Sequence, residues 1–379
     1  MTTVPGARAR VVSLSLRDFR SFERLDLAAP AAGFVLVGEN GAGKTNLLES
    51  VHYLSLLRSA RGARDTEIVR FGADGFFVQA GMCVGEAHEV SVGFERAGRR
   101  KRVRRDGAVV ERLSDALGAL PTVMFSPGDV ALVSGAPGVR RRFLDIMLVL
   151  SSRPYLHALQ HYRAALHRRN AALRDGARHG GRSAAAAIEV WEPALAEFGA
   201  HLWRARREWV ERVAGGYARR CAAIGEWGTS ELRYQCAVEA GGDERAALAH
   251  GLASRRASDM RNGMTQIGPH RDDVDLQLDG RDLRTFGSAG QQRTAAITLR
   301  TLEAETLRDA CAAAPVFLLD DPFAELDAAR AERVLALLGD IGLGQTILAV
   351  PRETDIPREL TSLPRAIVSP GVVRAEWTA

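Results

Sequence analysis

Hydrophobic positions in this chain recur with two periods, one typical of buried strands and one typical of helices, which together predict an α/β fold. An apolar run at residues 34–37 is followed, after a glycine-rich stretch, by Leu47, Leu48, Val51 and Leu54. The run is continuous, as expected of a buried parallel strand, and the four later residues lie at helical spacing. We therefore predict a strand, a tight turn and a helix in that order.

Other apolar patterns predict more strands. Apolar and polar residues alternate over residues 11–28, which predicts strands that precede the buried strand at residues 34–37. The apolar runs at Val316–Leu319 and Thr346–Val350 predict two further buried strands. Alternation at residues 90–94, followed by Arg99–Arg105 and an Asp-Gly turn, predicts an antiparallel meander.

The middle of the chain is predicted to be mainly helical. Residues from about 140 to about 260 are rich in Ala, Leu and Arg with helical periodicity, interrupted at Gly180-Gly181 and around Gly241-Gly242. The resulting arm is much too short for a long antiparallel coiled coil. Alternation at residues 274–278 then precedes a second Asp-Gly turn, and a long helix is predicted to end near Ala310.

We expect the chain to divide into two lobes. Residues 1–136 together with 311–379 would form lobe I, which holds the buried strands and the meander. Residues 137–310 would form the helical lobe II, inserted between the two parts of lobe I.

The turn after the first strand carries the pattern of a P-loop, which is Gly, four residues, Gly, Lys and then Ser or Thr. Its residues are Gly38, Glu39, Asn40, Gly41, Ala42, Gly43, Lys44 and Thr45. The glycines let backbone N–H groups turn inward around a triphosphate, and the following helix adds its positive end. Lys44 would reach the β and γ phosphates and Thr45 would bind Mg²⁺. Lys44 is one of only two lysines among 51 Lys and Arg, at a place that needs a compact ammonium.

Two carboxylates follow the strand at Val316–Leu319, in the manner of a Walker B strand. Asp320 would hold Mg²⁺ through water, and Asp321 is placed to orient an attacking water. Ser288 and Gly290 stand at a predicted helix start, where a hydroxyl and free N–H groups suit a phosphate. The same residues also suit an ordinary N-cap, so a phosphate role depends on the other motifs.

Charge narrows the class of partner. The net charge of +5 and the pI near 9.3 favour a polyanion. The returning strand of the meander is crowded with cations that suit either phosphate contact or a solvated edge. These are Arg99, Arg100, Lys101, Arg102, Arg104 and Arg105. Arg58, Arg61 and Arg64 form a second basic patch, suited to a solvated loop or to a nucleic-acid contact.

Other features of the composition exclude whole classes of protein. No stretch resembles a secretion signal or a bilayer-spanning helix, so we expect a soluble, cytoplasmic protein without a membrane partner. The four cysteines form no Cys-x-x-Cys pair, so neither a zinc site nor a disulfide framework is predicted. The hydrophobic fraction of 46% is enough for a proper core.

Taken in order, these motifs resemble the ATP-binding-cassette class of ATPases and, in finer detail, the RecF family of recombination-repair ATPases. The resemblance spans nearly the whole chain. Beyond the P-loop with Thr45-Asn46, the matching segments are Leu16–Arg20, Arg58–Arg61, Phe125–Pro127, Arg140–Asp145, Gly268–Asp273, Ser288–Thr294 and Leu319–Asp327. The resemblance implies an ABC-type P-loop ATPase head with an inserted, mainly helical lobe.

The resemblance also implies how the site is built. Two heads would sandwich ATP in a homodimer, and residues 288–291 of one head, the signature segment, would complete the site of the other. The catalytic residues so implied are Lys44, Asp320, Asp321 and Ser288. The further nucleotide-binding residues implied are Asn46, Ser288, Gly290, Gln291 and Asp327.

The family implies partners that the residues alone do not show. DNA would be bound as duplex and at gaps or single-strand/double-strand junctions. RecR is the principal protein partner implied, RecO is a further one, and RecA would be loaded as the outcome. The setting implied is DNA repair, replication and the SOS response.

The chain departs at three places from the pattern of the RecF family or of cassette ATPases. Gly128 stands where an acidic residue is usual, and Val350-Pro351 stands where cassette ATPases place a His and RecF proteins often a Thr. Asp321 is one methylene shorter than the Glu common in cassette ATPases, so we expect slow, DNA-stimulated turnover. Two alternatives stay open: a transporter-type cassette subunit, and a nucleotide-gated scaffold that scarcely hydrolyses ATP.

Overall fold

The computed structural model of this 379-residue chain describes residues 7–179, 182–237, 242–323, 326–342 and 344–377. The contacts divide the chain into two compact units. Unit 1 comprises Met1–Val130, Ala223–Glu226 and Arg293–Ala379, and unit 2 comprises Ala131–Ala222 and Trp227–Gln292.

The described residues form seventeen strands and twelve α-helices. The strands are β1 Ala7–Arg8, β2 Arg10–Phe19, β3 Phe22–Ala28, β4 Gly33–Val37, β5 Gly75–Val84, β6 Glu86–Glu95, β7 Arg100–Arg105, β8 Ala108–Val109, β9 Thr122–Phe125, β10 Ser230–Gln235, β11 Asp273–Leu278, β12 Arg281–Asp282, β13 Ala313–Ala314, β14 Val316–Asp320, β15 Thr346–Val350, β16 Arg365–Ser369 and β17 Val372–Ala375. The helices are α1 Lys44–Leu56, α2 Asp65–Ile68, α3 Ala131–Ser134, α4 Pro137–Ser151, α5 Arg153–His179, α6 Arg182–Glu189, α7 Glu192–Ile224, α8 Glu244–Ser254, α9 Arg256–Asn262, α10 Leu283–Phe286, α11 Ala289–Cys311 and α12 Ala328–Ile341.

Unit 1 contains a six-stranded sheet in the order β17-β16-β4-β15-β14-β9. All neighbours pair in parallel except β17, and every residue of β4, β14 and β15 is buried. Continuous apolar runs are what a parallel strand covered on both faces requires. The three predicted buried strands are confirmed, and their carboxyl ends lie at one edge of this sheet.

The predicted meander is also confirmed, as an antiparallel sheet in the order β3-β2-β5-β6-β7-β8. Its last turn has positive φ at both Asp106 (52°) and Gly107 (79°), which is the backbone that an Asp-Gly hairpin favours. Helix α1 contacts strands of both six-stranded sheets and is buried along almost its whole length. Its apolar residues join Phe19, Phe76 and their neighbours in one hydrophobic core.

Unit 2 is mainly helical, with a small sheet in the order β10-β11-β12. Strand β10 corrects the prediction of helix through residues 140–260. It pairs antiparallel with β11, from Ser230 opposite Leu278 to Gln235 opposite Asp273. The period-2 alternation of Leu232 and Tyr234 was a local signal, but the pairing that stabilises it comes from a segment about forty positions later.

The predicted lobes and the observed units divide the chain at different places. The second lobe boundary was expected at residues 310 and 311, whereas unit 1 begins again at Arg293. Arg293 and Arg300 of α11 bind groups of unit 1, which accounts for the difference. The assignment of the lobes to separate roles stays a prediction. The break predicted at Gly180-Gly181 and residue Gly241 of the second break lie outside the described residues, and no helix within the described part combines the length and apolar character needed to cross a membrane.

Candidate functional site

The P-loop residues lie in a turn between β4 and α1, as the sequence predicted. Gly41 and Gly43 have φ of 85° and 112°, a backbone that L side chains rarely adopt. A Cβ added at Gly43 would lie 2.9 Å from Ser21 Oγ, so glycine is also required for space. Asn46, in the first turn of α1, donates from Nδ2 to Ser21 Oγ over 3.1 Å and so anchors the loop to the start of β3.

Lys44 is the first residue of α1 and is only 7% exposed. Its Nζ donates to the carbonyl oxygens of Gly38 (2.5 Å) and Glu39 (2.9 Å). Burial lowers the pKa of the Lys44 ammonium, and the charges of Asp320 and Asp321 oppose that shift. Within the described residues its hydrogen bonds go to carbonyl oxygens alone, so a cation is held here without a hydrogen-bonded carboxylate.

Thr45 joins the P-loop to the acidic strand end. Its Oγ1 lies 2.9 Å from Asp320 Oδ2 and 3.0 Å from Oδ1, and it donates to that carboxylate. Burial raises the pKa of Asp320, so the site favours a cation beside this carboxylate. A hydroxyl and a carboxylate are the hard oxygen ligands that Mg²⁺ prefers, usually completed by water and phosphate. The described residues hold no group of three or more His, Cys, Asp or Glu that could bind a metal.

Asp321 has a left-handed backbone, with φ of 46°. Its N–H donates to Ala349 O over 2.9 Å, and Arg293 Nη2 donates to the carbonyl oxygens of Asp321 (3.4 Å) and Pro322 (3.0 Å). Burial, with the nearby charge of Asp355, raises the pKa of Asp321. Arg293 is therefore a positioning residue that the sequence reading missed, although its place five positions after Ser288 was a usable signal.

The signature segment lies in unit 2 and forms a capping box. Ser288 N donates to Gln291 Oε1 over 2.8 Å, and Gln291 N donates to Ser288 Oγ over 3.3 Å. The structure thus places Ser288 and Gln291 at a helix N-terminus, in the N-cap arrangement that the sequence also allowed. Gly290 lies in the first turn of α11. Phosphate binding by Ser288, Gly290 and Gln291 stays a prediction.

Asp327 lies at the N-cap of α12, where its Oδ1 accepts from Arg330 N over 2.8 Å. Its side chain is 64% exposed. Glu325, which precedes it in the matched segment, lies outside the described residues.

Gly128 is followed by an acidic residue, Asp129, whose contacts the structure shows. Asp129 accepts from Ser126 N (2.8 Å) and from the partly buried guanidinium of Arg300 (2.7 Å). Arg300 also donates to Glu303 over 2.7 Å. The acidic residue in this loop therefore binds α11 and does not stand at the position where the family usually has one.

Five of the six predicted cations lie in β7 and divide between its two faces, and Arg99 lies in the preceding turn. Arg100, Arg102 and Arg104 are exposed, whereas Lys101 and Val103 point toward the core side. The three exposed residues are here called the outer arginine row, and their side chains have no hydrogen bond or ion pair with any described residue. Alternate residues of a strand are about 7 Å apart, so the row offers evenly spaced cations.

Lys101 is committed to the protein itself. Its Nζ donates to Leu57 O (2.5 Å) and Asp65 Oδ2 (2.9 Å) and lies 4.9 Å from the ring centre of Tyr53. Burial lowers the pKa of this ammonium, and Asp65 opposes the shift. The structure therefore places Lys101 apart from the other cations, because its side chain faces inward.

The remaining basic residues differ in their surroundings. Arg99 is exposed in the turn before β7, and Arg105 lies 3.8 Å from Asp106. Arg61 lies 3.7 Å from the buried Glu49, and Arg58 is exposed. DNA contact by these residues stays a prediction.

The segment Gly268–Asp273 serves the core of unit 2. His270 Nε2 donates to Thr265 O (2.9 Å), and its Nδ1 is hydrogen-bonded to Tyr162 OH (2.7 Å). Burial lowers the pKa of His270 to about 4, which favours the neutral ring near pH 7. Asp273 forms a bidentate pair with the buried Arg140, at 2.7 and 2.8 Å. Arg140 is therefore a structural residue.

The chain is similar to proteins of one family over nearly its full length. It is 36% identical over 375 residues to the DNA replication and repair protein RecF of Frankia alni, covering 96% of this chain and 98% of that protein. It is 38% identical over 355 residues to the protein of that name from Acidothermus cellulolyticus, covering 91% and 94%. No protein-family model matches the chain.

Solved structures give the same result for the fold. A structure of the recombination mediator protein RecF-ATP matches with a TM-score of 0.90 at 26% identity and covers 100% of both chains. An Smc head domain from Pyrococcus furiosus shares the fold at a TM-score of 0.53 and 15% identity, covering 97% of this chain and 95% of that one. The predicted fold class, an ABC-type ATPase head, is confirmed.

Proposed function

The chain belongs to the RecF family of DNA replication and repair proteins, and on that premise we propose that it is an ATP-gated, DNA-binding ATPase of recombinational repair. ATP binding would join two copies, and the dimer would clamp DNA at gaps or single-strand/double-strand junctions. The observation that carries the proposal is the distance of 2.9 Å between Thr45 Oγ1 and Asp320 Oδ2, which joins the P-loop to the acidic strand end. A similar chain named RecF-ATP supports the choice of nucleotide.

The residues of this chain have separable tasks at the nucleotide. Lys44 neutralises the β and γ phosphates, and Thr45 with Asp320 holds Mg²⁺. When bound, Mg²⁺ neutralises charge that develops on the phosphate oxygens. Asp321 orients the attacking water, and Arg293 keeps its backbone in the conformation that aims the carboxylate.

The nucleotide site is tested by replacing its lysine. Lys44→Met should lower ATP affinity and ATPase activity by at least about 100-fold, because the phosphate charge loses its ammonium. Lys101→Met is a matched control, since it removes the only other lysine, and it should retain ATP binding. Isothermal titration measures both, and unchanged ATP affinity in Lys44→Met would refute the P-loop assignment.

We infer that the signature segment acts in trans, in the partner's site. Ser288 is exposed, and the capping box holds the N-terminus of α11 in a fixed geometry that suits a phosphate. Ser288→Arg should therefore spare ATP binding by the monomer and abolish dimerisation and hydrolysis.

Mixing two inactive proteins tests this arrangement. A heterodimer of Lys44→Met and Ser288→Arg has one site with both lesions and one with neither, so some DNA-stimulated ATPase should return. If heterodimers form and the mixture stays inactive, the trans arrangement is wrong.

The outer arginine row is the proposed duplex-binding surface. Its three cations are exposed and without acidic partners in the described parts of the chain, which leaves their charge available to phosphates. Replacing all three by Ser should reduce the log–log salt slope of duplex binding by about 0.9 for each phosphate that is no longer neutralised, or roughly 2 to 3 in total. An unchanged slope would mean that the outer arginine row is a solvated strand edge that does not contact DNA.

The proposed outcome is RecA loading with RecR and, further, RecO as partners, supported by the family alone. Family membership argues against the transporter alternative. A scaffold that scarcely hydrolyses ATP is favoured by one observation, the absence of a polar side chain at Val350-Pro351 after β15. ATPase rates with and without gapped DNA distinguish the slow enzyme from the scaffold.

A further inference from the structure

Phe71 is an aromatic side chain presented to solvent on a rigid turn. It is 98% exposed, and the other large exposed aromatics among the described residues are Trp227 (88%) and Phe286 (71%). The turn is closed by Ala73 N donating to Arg70 O over 3.1 Å, and Gly72 has φ of 82°. A single exposed apolar residue is ordinary, so its surroundings decide what it means.

The turn is anchored at both ends. Arg70 N donates to Asp18 O over 2.9 Å, and Val69 bridges to Phe19 in the core. On the other side, Arg96 N donates to Asp74 O over 2.7 Å. Because the backbone of the turn is already fixed, binding of a flat partner to the Phe71 ring would cost little conformational entropy.

The neighbouring turn carries cations. Arg99 N donates to Arg96 O over 3.3 Å in the hairpin that leads into β7, and Arg100 begins the outer arginine row. The side chains of Arg99 and Arg100 make no hydrogen bond or ion pair with the described residues. Arg70 adds no net charge, since it pairs with Asp18 (2.7 Å) and Glu23 (3.7 Å).

An aromatic ring at the end of a line of cations is the arrangement that proteins use for unpaired bases. Cations follow the backbone, and the ring stacks on a base that has no partner in a duplex. Along β7 the outer arginine row runs about 13 Å away from the turn that carries Arg99. Trp227 and Phe286 lie in unit 2, apart in sequence from this row.

We propose that Phe71 stacks on an unpaired base at the end of a duplex held by the outer arginine row, so that this surface reads a single-strand/double-strand junction. This inference rests on the proposed function, because it requires that the chain bind DNA. It adds the element that distinguishes a junction from a continuous duplex. Phe71 is here a specificity residue and has no part in ATP hydrolysis.

The test compares a blunt duplex with the same duplex carrying a single-stranded extension, both with ATP. Phe71→Ala should lower affinity for the junction by roughly 5- to 100-fold, the range expected when one base loses its stacking partner, and should leave duplex affinity and its salt slope unchanged. Phe71→Trp should retain the preference. Trp227→Ala is the matched control for loss of an exposed aromatic and should behave as wild type.

A base analogue reports the stacking directly. With 2-aminopurine as the first unpaired base, wild type and Phe71→Trp should quench its fluorescence and Phe71→Ala should not. If Phe71→Ala keeps the wild-type ratio of junction to duplex affinity, the inference is wrong while the proposed function survives. If wild-type protein binds neither DNA, both are wrong.

Discussion

Two regions of the molecule, the core of unit 2 and the P-loop of unit 1, bury charge in different ways. In unit 2, Arg206 is buried and donates to Asp145 (2.7 Å), Tyr155 (2.9 Å) and Pro269 O (2.7 Å). At the P-loop of unit 1, Lys44 donates only to carbonyl oxygens and Asp320 accepts only from the hydroxyl of Thr45, within the described residues. Arg206 thus has a hydrogen-bonded carboxylate, whereas among the described residues neither Lys44 nor Asp320 has a hydrogen-bonded partner of opposite charge.

The contrast shows when a buried charge indicates function. A buried ion that is paired and hydrogen-bonded satisfies the protein itself. A buried ion without a hydrogen-bonded counter-charge destabilises the folded protein. Such an ion is typical of a functional site, where a bound ligand supplies the opposite charge. The same substitution should therefore have opposite effects in the two regions.

The largest expected effect is in unit 2. Asp145 accepts from Tyr155 OH (2.6 Å), Arg163 (2.7 Å) and Arg206 (2.7 Å), so Asp145→Asn would leave a buried guanidinium uncompensated. We expect a loss of about 3–5 kcal/mol in the free energy of unfolding. Urea denaturation measures it. A loss below about 1 kcal/mol would mean that the network relaxes around a missing charge.

The next effect is on the pH dependence of stability. Burial lowers the pKa of His270 to about 4 from 6.5. The unfolded chain then takes up this proton first as the pH falls, so the stability that the neutral ring provides is present above pH 6.5 and lost towards pH 4, by up to about 3 kcal/mol. Asp272, whose pKa burial raises to about 6, works in the opposite direction over this range.

The difference between wild type and His270→Gln isolates the histidine. The free energy of unfolding of this variant should fall less steeply between pH 6.5 and 4 than that of wild type. His52 in unit 1, whose pKa burial lowers to about 3, is present in both proteins and cancels. Parallel pH curves would show that His270 does not titrate as its surroundings predict.

A smaller effect of opposite sign is expected at the P-loop. Asp320→Asn removes a buried carboxylate that has no hydrogen-bonded cation among the described residues, so we expect the protein to become more stable by about 1 kcal/mol while ATPase activity is lost. Thermal unfolding without nucleotide measures the gain. A loss of stability comparable with that of Asp145→Asn would remove the distinction between the two regions.

The last prediction compares two cations of one strand, of which one should scarcely affect stability. Lys101→Met would leave Asp65 without its ammonium partner, and we expect a loss of about 1–2 kcal/mol with an unchanged salt slope of DNA binding. Arg102→Met should change stability by less than about 0.5 kcal/mol and lower that slope. The reverse result would exchange the roles assigned to the two faces of β7.

Much of the nucleotide site could be predicted because its signals are local. A strand, a glycine-rich turn and a helix follow one another within about 25 residues, and each is specified by apolar period and by backbone freedom. The Asp-Gly turns were predictable for the same reason, since φ is positive at both residues of each. The trans arrangement and the protein partners were predicted from the family resemblance alone, because no local sequence pattern indicates them.

The sequence by itself therefore determined the P-loop, the acidic strand end, the meander and the family, because each depends on residues close together along the chain. Tertiary structure alone decided which cations are available: Lys101 and Arg102 are adjacent in sequence, but Lys101 packs on Asp65 and Tyr53 while Arg102 lies on the exposed face of β7. It also decided that β10 is a strand, that Arg293 binds the backbone of Asp321, and that the segment following Phe71 is hydrogen-bonded to the hairpin that carries Arg99. These features depend on contacts between segments that are distant in sequence. Burial of a charged group changes its pKa and its need for a counter-charge, and it arises only when those segments pack together.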